Sequence, residues 1–334
     1  MWGRQKNQHS TTLLAGLIFL LVLACLCSLA RGAVPLPVTD ILRGLAGLGD
    51  PRIVMVVQEI RLPRVLLGLL VGAAFGASGA ALQGFLRNPL AEPGLLGTSA
   101  SASLGAVLAL YHGWAAAFPL ALPFAAMAMG AAGTLLLLIV AGREPLTLIL
   151  AGLAVSSLTL ALTSLVMNLS PDPFALGEMV MWLMGSLKDR SLEDVVLAAP
   201  FVALGLLLLQ GSGRGLDALT LGEDAAASLG ISMTRLRHRV VVGTALAVGA
   251  VVAVAGAVGF VGLVIPHLLR PLVRHRPSAL LLPSALGGAL LVTMADIAVR
   301  LIPARAELML GVLTALVGAP FFLFLILKAR RNTP

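Results

Sequence analysis

The stretch Val65-LLGLLVGAAFGASGAALQGF-Leu86 decides the fold. It runs for 22 residues without a charge, about the length an α-helix needs to cross the hydrocarbon core of a bilayer. Within it Gly68, Gly72, Gly76, Ala80 and Gly84 recur at every fourth position, so one face of the helix has almost no side chains. Small residues at i, i+4 let helices approach closely in lipid, where a Leu–Leu contact gains little over a Leu–lipid contact. The pattern predicts a helix buried in a bundle of other helices. It says nothing of what the bundle carries.

The remainder of the chain has the same character. Of 334 residues, 59% are hydrophobic and 11% charged, and the mean hydropathy is +1.01. A soluble domain carries roughly 25% charged residues, so most of this surface must face lipid. Stretches with few or no charges place ten spans at about residues 13–30, 65–86, 95–111, 119–141, 146–168, 194–210, 240–257, 259–274, 279–301 and 308–327. A turn holding His112, Gly113, Pro119 and Pro123 separates the third from the fourth, and Pro266 kinks a short eighth. The first stretch follows Arg4 and Lys6 as a secretory signal would. It is read as a retained span, because the rest of the chain is membrane-embedded too.

The loop charges test this count through the positive-inside rule. With the N-terminus inside, the inner segments hold 14 basic and five acidic residues, and the outer segments nine of each. Both termini are basic, which demands an even number of crossings; nine or eleven would export Lys328-Ala-Arg-Arg331. The expectation is an all-α polytopic membrane protein, one permease domain over 1–334, with ten helices and cytoplasmic termini. The net charge of +8 is then a matter of topology rather than of nucleic acid binding, for which three lysines and 4% aromatics are poor equipment. Cys25 and Cys27, two apart on one helix, point to different faces and suit neither a disulfide nor a metal.

Ionisable groups are nearly absent from the spans. Asp296 is followed one helical turn later by Arg300, which reads as a local ion pair. Ion-coupled carriers commonly hold several membrane carboxylates as relays or ligands, so an ion-coupled secondary transporter is the disfavoured alternative and the energy must come from elsewhere. No lysine follows a glycine, so the phosphate-binding loop of an ATPase is absent. ATP and Mg, if used, belong to a partner. The five histidines (9, 112, 238, 267 and 275) are dispersed, which argues against a metal site and against an enzyme. Pro266-His267 reads as a kink beside a satisfied core histidine. Two hydroxyl ladders, Thr98, Ser99, Ser101 and Ser103, and Ser156, Ser157, Thr159, Thr163 and Ser164, either line a path or bond back to their own helices.

A polar segment, 212–236, separates the halves. Thr220-Leu-Gly-Glu223 has capping-box spacing, predicting a helix over 221–229 with Leu and Ala on one side. Gly230 supplies a left-handed stop, and a new helix starts at Ser232. Two short helices on the cytoplasmic face would suit docking into a partner's groove.

Several strings together resemble the FecCD-type permease subunits of binding-protein-dependent ABC importers for iron-siderophores, haem and vitamin B12. They are Arg61-Leu-Pro-Arg64, Asn88-Pro-Leu-Ala-Glu-Pro-Gly-Leu-Leu-Gly97, Met181-Trp-Leu-Met-Gly185, Leu221-Gly-Glu223 with Leu229-Gly230, Gly256-Ala-Val-Gly-Phe-Val-Gly-Leu-Val-Ile-Pro-His267, Ala295-Asp296, Glu307-Leu308 and Gly318-Ala-Pro320. The resemblance implies a homodimer of ten-helix subunits, two ABC ATPase copies on the cytoplasmic face, a periplasmic binding protein, and a location in the bacterial inner membrane. It implies a pathway along the dimer axis beside the fifth and tenth helices, closed on the cytoplasmic side by Asn88, Leu90, Pro145 and Leu146. It assigns ATPase coupling to Leu221, Gly222, Glu223, Ala226, Leu229 and Gly230, and binding-protein docking to Arg61, Arg64 and Arg300. Glu144-Pro145-Leu146 is less polar than the hydroxyl-rich counterpart in vitamin B12 permeases, which weakens the cobalamin assignment; the expected cargo is an iron chelate (a ferric siderophore), with haem or vitamin B12 as the alternative. An inverted repeat is suggested by Ser78-Gly-Ala-Ala beside Ala255-Gly-Ala-Val.

Overall fold

Within lipid every backbone N–H and C=O must be paired inside the segment, which leaves helices as the natural form for such apolar runs. The computed structural model describes residues 2–32, 35–118, 120–142, 144–170, 172–302 and 307–331, and among them there is no strand. The first half comprises α1 (Trp2–Ala30), α2 (Val38–Leu45), α3 (Pro51–Met55), a π-helical turn (Val56–Arg61), α4 (Leu62–Phe85), a 3-10 turn (Pro93–Leu96), α5 (Thr98–Tyr111), α6 (Trp114–Ala117), α7 (Ala121–Val140) and α8 (Pro145–Asn168). The second comprises α9 (Pro173–Leu183), α10 (Leu192–Gln210), α11 (Gly213–Leu219), α12 (Glu223–Ser228), α13 (Met233–Ala255), α14 (Val261–Leu269), a 3-10 turn (Pro271–Val273), α15 (Pro277–Leu301) and α16 (Leu310–Arg331).

Among the described residues, seven helical stretches are long and apolar enough to cross a membrane: Thr11–Ala30, Pro51–Phe85, Ala121–Val140, Pro145–Asn168, Leu192–Gln210, Met233–Ala255 and Pro277–Leu301. Thr98–Tyr111, Pro173–Leu183 and Leu310–Leu325 are apolar but shorter. The expected short, kinked eighth span over 259–274 is shorter still in its helical part. Its helix is the nine residues of α14, about 13 Å at 1.5 Å per residue, which is less than half of the core thickness. Phe260 (φ 65°) opens it, and Arg274 (φ 54°) and His275 (φ 60°) close the turn that follows. The residues after Leu269, Arg270 and Arg274 among them, turn rather than climb. The second span begins earlier than expected, at Pro51, because the π-helical turn joins α3 to α4 without a break. Helix α9 was not expected at all. It is started by Asp172, whose carboxylate accepts from the amides of Phe174 and Ala175, with Pro173 at the first helical position. The turn at His112 and Gly113 (φ 66°) is present; Pro119 lies outside the described residues.

Helix α4 is the axis of the bundle, and the glycine stripe is what places it there. A methyl group at Gly72 would strike the Gly288 carbonyl of α15, one at Gly76 the Ser284 carbonyl, and one at Gly79 the Gly262 carbonyl of α14. These helices touch backbone to backbone. Helix α16 uses the same device, Gly318 lying against the ring of Phe260. The sequence match behind the inverted repeat does not carry over locally: Ser78–Ala81 lies inside α4, whereas Gly256 (φ 74°) ends α13.

Candidate functional site

Three places hold the residues singled out by sequence, and each is built on helix ends. The first is at the start of α4. Arg61 is buried, and its Nη1 donates to the carbonyls of Leu29 (2.5 Å) and Ala30 (3.2 Å) at the end of α1. Arg64 lays its guanidinium on Asp296 of α15, with Nε 2.9 Å from Oδ1 and Nη2 2.8 Å from the same oxygen, and Nη2 also meets Glu307. Arg300 reaches Asp296 Oδ2 at 3.0 Å, the carbonyls of Ser28 (2.9 Å) and Arg31 (2.8 Å), and the Ser28 hydroxyl. The expected Asp296–Arg300 pair is therefore present, inside a larger network that joins α1, α4, α15 and the residue leading into α16. Arg31, Arg61, Arg64, Arg300 and Glu307 line a cavity of about 490 Å³. Sequence reading missed Ser28 and the pairing of Glu307; a carboxylate three residues before an apolar helix gives no sign of its partner.

The second place is the loop after α4. Asn88 forms an Asx turn, its Oδ1 accepting from the Leu90 amide at 2.9 Å. The loop then seats on α8: a side chain at Gly152 would hit the Leu95 carbonyl, and a Cβ at Gly97 (φ 75°) would lie 2.9 Å from Val155 Cγ1. Asn88 and Leu90 are half-buried, and Leu146, at the start of α8, is exposed. The two loops thus belong to one packed unit through α8. Burial pushes the Glu92 carboxyl above the usual carboxylate range, partly offset by the Phe260 amide at the start of α14.

The third is the polar connection. Gly230 (φ 79°) does end a helix, with its amide bonded to Ala227 O and that of Ile231 to Ala226 O, and Ser232 accepts from the Arg235 amide as the next cap. The capping box at Thr220 and Glu223 is corrected. Thr220 donates back to Asp217 O, and the cap of α12 is Gly222 (φ 104°), so the helix starts two residues later than expected. A glycine free to take positive φ let the chain turn sharply between α11 and α12. Leu221 and Leu229 are exposed, while Ala226 is fully buried and anchors α12 rather than facing outward. Asp217, which sequence reading did not single out, fastens the segment to the bundle. Its carboxylate accepts from the Ser278 amide (2.8 Å) and hydroxyl (2.6 Å) and from Arg276 Nε (2.8 Å) at the start of α15. Burial pushes this carboxyl up, but those bonds outweigh it and hold it below the usual carboxylate range.

Among the hydroxyls, Thr159, Thr163 and Ser164 bond back to carbonyls of α8, and Thr98 pairs with Thr134 of α7 at 2.9 Å. His267 lies edge-on to Phe321, with ring centroids 6.0 Å apart. Strings far apart in sequence converge near the end of α13: a Cβ at Gly185 would meet Ala257 O, one at Gly256 Trp182 O, and one at Gly311 Met184 O.

These features define a polytopic helical membrane protein, organised on a glycine-packed helix pair with a charged network on one face and a folded polar connection on the other. The chain belongs to the FecCD transport family, whose model matches residues 20–328. An uncharacterised ABC transporter permease of Bacillus subtilis is 37% identical over 98% of this chain and 97% of its own length. The Fe(3+) dicitrate permease FecD of Escherichia coli is 38% identical over 91% and 95%. The vitamin B12 import permease BtuC of Salmonella paratyphi A is 39% identical over 99% and 99%. A solved inward-facing structure of a metal-chelate type ABC transporter superposes with a TM-score of 0.84 at 34% identity, covering 96% of this chain and 99% of that one.

Proposed function

We propose that this chain is the membrane subunit of an ATP-driven importer that moves a ferric chelate inward by alternating access. The observation that carries the reading is the full-length likeness to the ferric dicitrate permease, supported by the metal-chelate structure. The engagement of Asp296 by two arginines supports an external energy source, since it leaves that carboxylate no freedom to relay a proton or hold a cation. Vitamin B12 is the second reading, favoured by the equal likeness to a vitamin B12 permease; haem is a third.

In this reading the termini are cytoplasmic, the bundle has ten crossings, and two copies pair around a pathway beside α8 and α16 in the bacterial inner membrane. Asn88, Leu90, Pro145 and Leu146 form the inner closure. Leu221, Gly222, Glu223, Leu229 and Gly230 meet an ATPase subunit, with Ala226 holding that surface in place. A periplasmic binding protein docks over Arg61, Arg64 and Arg300; its carboxylates enter the cavity these line and compete with Glu307 for Arg64. The test is uptake in proteoliposomes holding this chain with its ATPase and binding protein. ATP-dependent entry of a labelled ferric siderophore, with no entry of cyanocobalamin or haem, supports the reading. Entry of cobalamin alone replaces it with the second, and uptake driven by an ion gradient without ATP overturns it.

A further inference from the structure

The face of α13 that carries Arg235 and Arg239 continues along the helix as Val242, Leu246 and Gly249, spaced four, three, four and three residues apart, so all five lie on one side. Toward the middle of the helix this face forms the floor of an apolar groove of about 480 Å³, walled by α7 through Phe124, Leu135 and Leu138 and by Phe201 of α10. Its one polar side chain, Thr134, is already bonded to Gly130 O and Thr98. At the end of the helix, Arg235 and Arg239 instead line a polar cavity of about 200 Å³ together with Arg214. Arg239 donates to Gly211 O at the end of α10 (3.1 Å), and Arg237 to Ala141 O and Gly142 O at the end of α7. The two helix ends that wall the groove are therefore both tied to α13 at its basic end.

Among the described residues no ion pair reaches Arg214, Arg235 or Arg239. The acidic groups nearest in sequence do not serve: Asp217 is engaged by Ser278 and Arg276, and Glu223 and Asp224 form no salt bridge. Three guanidinium groups without a carboxylate share one cavity, and the nearest to the apolar groove, Arg239, is separated from Val242 by only ~4.5 Å of rise, with Arg235 one further turn away. Basic pockets between transmembrane helices are places where anionic headgroups collect. A zwitterionic lipid would fill the groove equally well but would leave the arginines uncompensated.

We propose that the α7–α10–α13 groove is a binding site for one anionic phospholipid, its acyl chain along Val242 and Leu246 and its phosphate at Arg235 and Arg239, with Arg214 beside it. The experiment is lipid analysis by mass spectrometry of the full chain in nanodiscs made with three parts phosphatidylcholine to one of phosphatidylglycerol, then stripped by mild detergent. The wild type retains phosphatidylglycerol at least fivefold above its bulk ratio. R235Q/R239Q returns to the bulk ratio, R235K/R239K keeps the enrichment, and A245F, which fills the groove without touching the charges, loses it. Inorganic phosphate at 10 mM leaves the enrichment unchanged. Bulk ratio in the wild type, or enrichment surviving both R235Q/R239Q and A245F in monodisperse protein, overturns the proposal. Loss of the lipid to inorganic phosphate overturns it in favour of a site for a free anion.

Discussion

Arg64 of α4 rests its guanidinium fork on the carboxylate of Asp296 of α15, 232 residues away in sequence, with Nε within 2.9 Å of one oxygen and 3.1 Å of the other. The Nε–H is shared between both oxygens while Nη2 turns to Glu307; charge-assisted bonds of this kind are the strong ones, and here they tie together the two helices that share the glycine crossing. Arg300 takes the other side of the same carboxylate. Asp296→Asn removes the buried charge that both half-buried arginines answer to. The expected cost is about 3–5 kcal/mol, the scale for breaking a buried pair from one side, read as a fall in the unfolding midpoint in detergent.

The glycine crossing makes a steric prediction. Gly76→Ala places a methyl on the Ser284 carbonyl and should cost about 1–3 kcal/mol through forced separation of α4 and α15. Gly177→Ala, where a Cβ meets nothing within 4 Å, should cost nothing. Equal melting temperatures for the two variants would contradict the backbone-on-backbone contact.

Asp217 gives a pH prediction. Its folded-state pKa lies below the ordinary value, so its contribution is present at neutral pH and is lost as pH falls through the folded pKa. Asp217→Asn should lower stability by about 1–2 kcal/mol at pH 7. The gap between variant and wild type should begin to narrow below about pH 4, the range of an unperturbed Asp, and close only below the depressed folded pKa.

Glu92 should behave in the opposite sense. Its pKa is raised by burial, so its charged form costs stability above the folded pKa, and the cost vanishes below the ordinary range near 4.3. Glu92→Gln is expected to melt higher than wild type at pH 8 and equally at pH 4.

Gly230 tests the coupling surface. Its φ of 79° is strained for any L side chain, although a Cβ there would meet no neighbour. Gly230→Leu should therefore leave the bundle folded while displacing Leu229. Uptake in proteoliposomes should fall at least tenfold with ATP hydrolysis retained; undiminished transport would remove this segment from the coupling role.

Much of the architecture was legible because lipid enforces simple rules. The charge-free runs located the long helices, and the glycine spacing of residues 68–84 announced the crossing that organises them. Hydropathy was silent about where within 259–274 the helix begins and ends; Phe260 precedes α14, and Arg274 and His275 lie in the turn after it. At the site, residue identities were legible but their partners were not. Arg61, Arg64 and Arg300 read as outward-facing charges, whereas the carbonyls of α1, Asp296 and Glu307 hold them. Nothing in Thr220-Leu-Gly-Glu223 distinguished a capping box from a cap by Gly222, because Thr and Gly both occur at helix starts; with Gly222 as the cap no side chain accepts from the first amides.

Where α4 and α15 touch, through Gly72, Gly76, Ser284 and Gly288, there are almost no rotamers to exchange. Side-chain interfaces can slide by repacking, whereas peptide planes in direct contact have only one fit. The pair is therefore the stiff keel of the molecule. In the alternating access proposed above, opening and closing would fall to helices away from this pair, such as α8, whose Leu153, Leu158 and Leu165 are exposed.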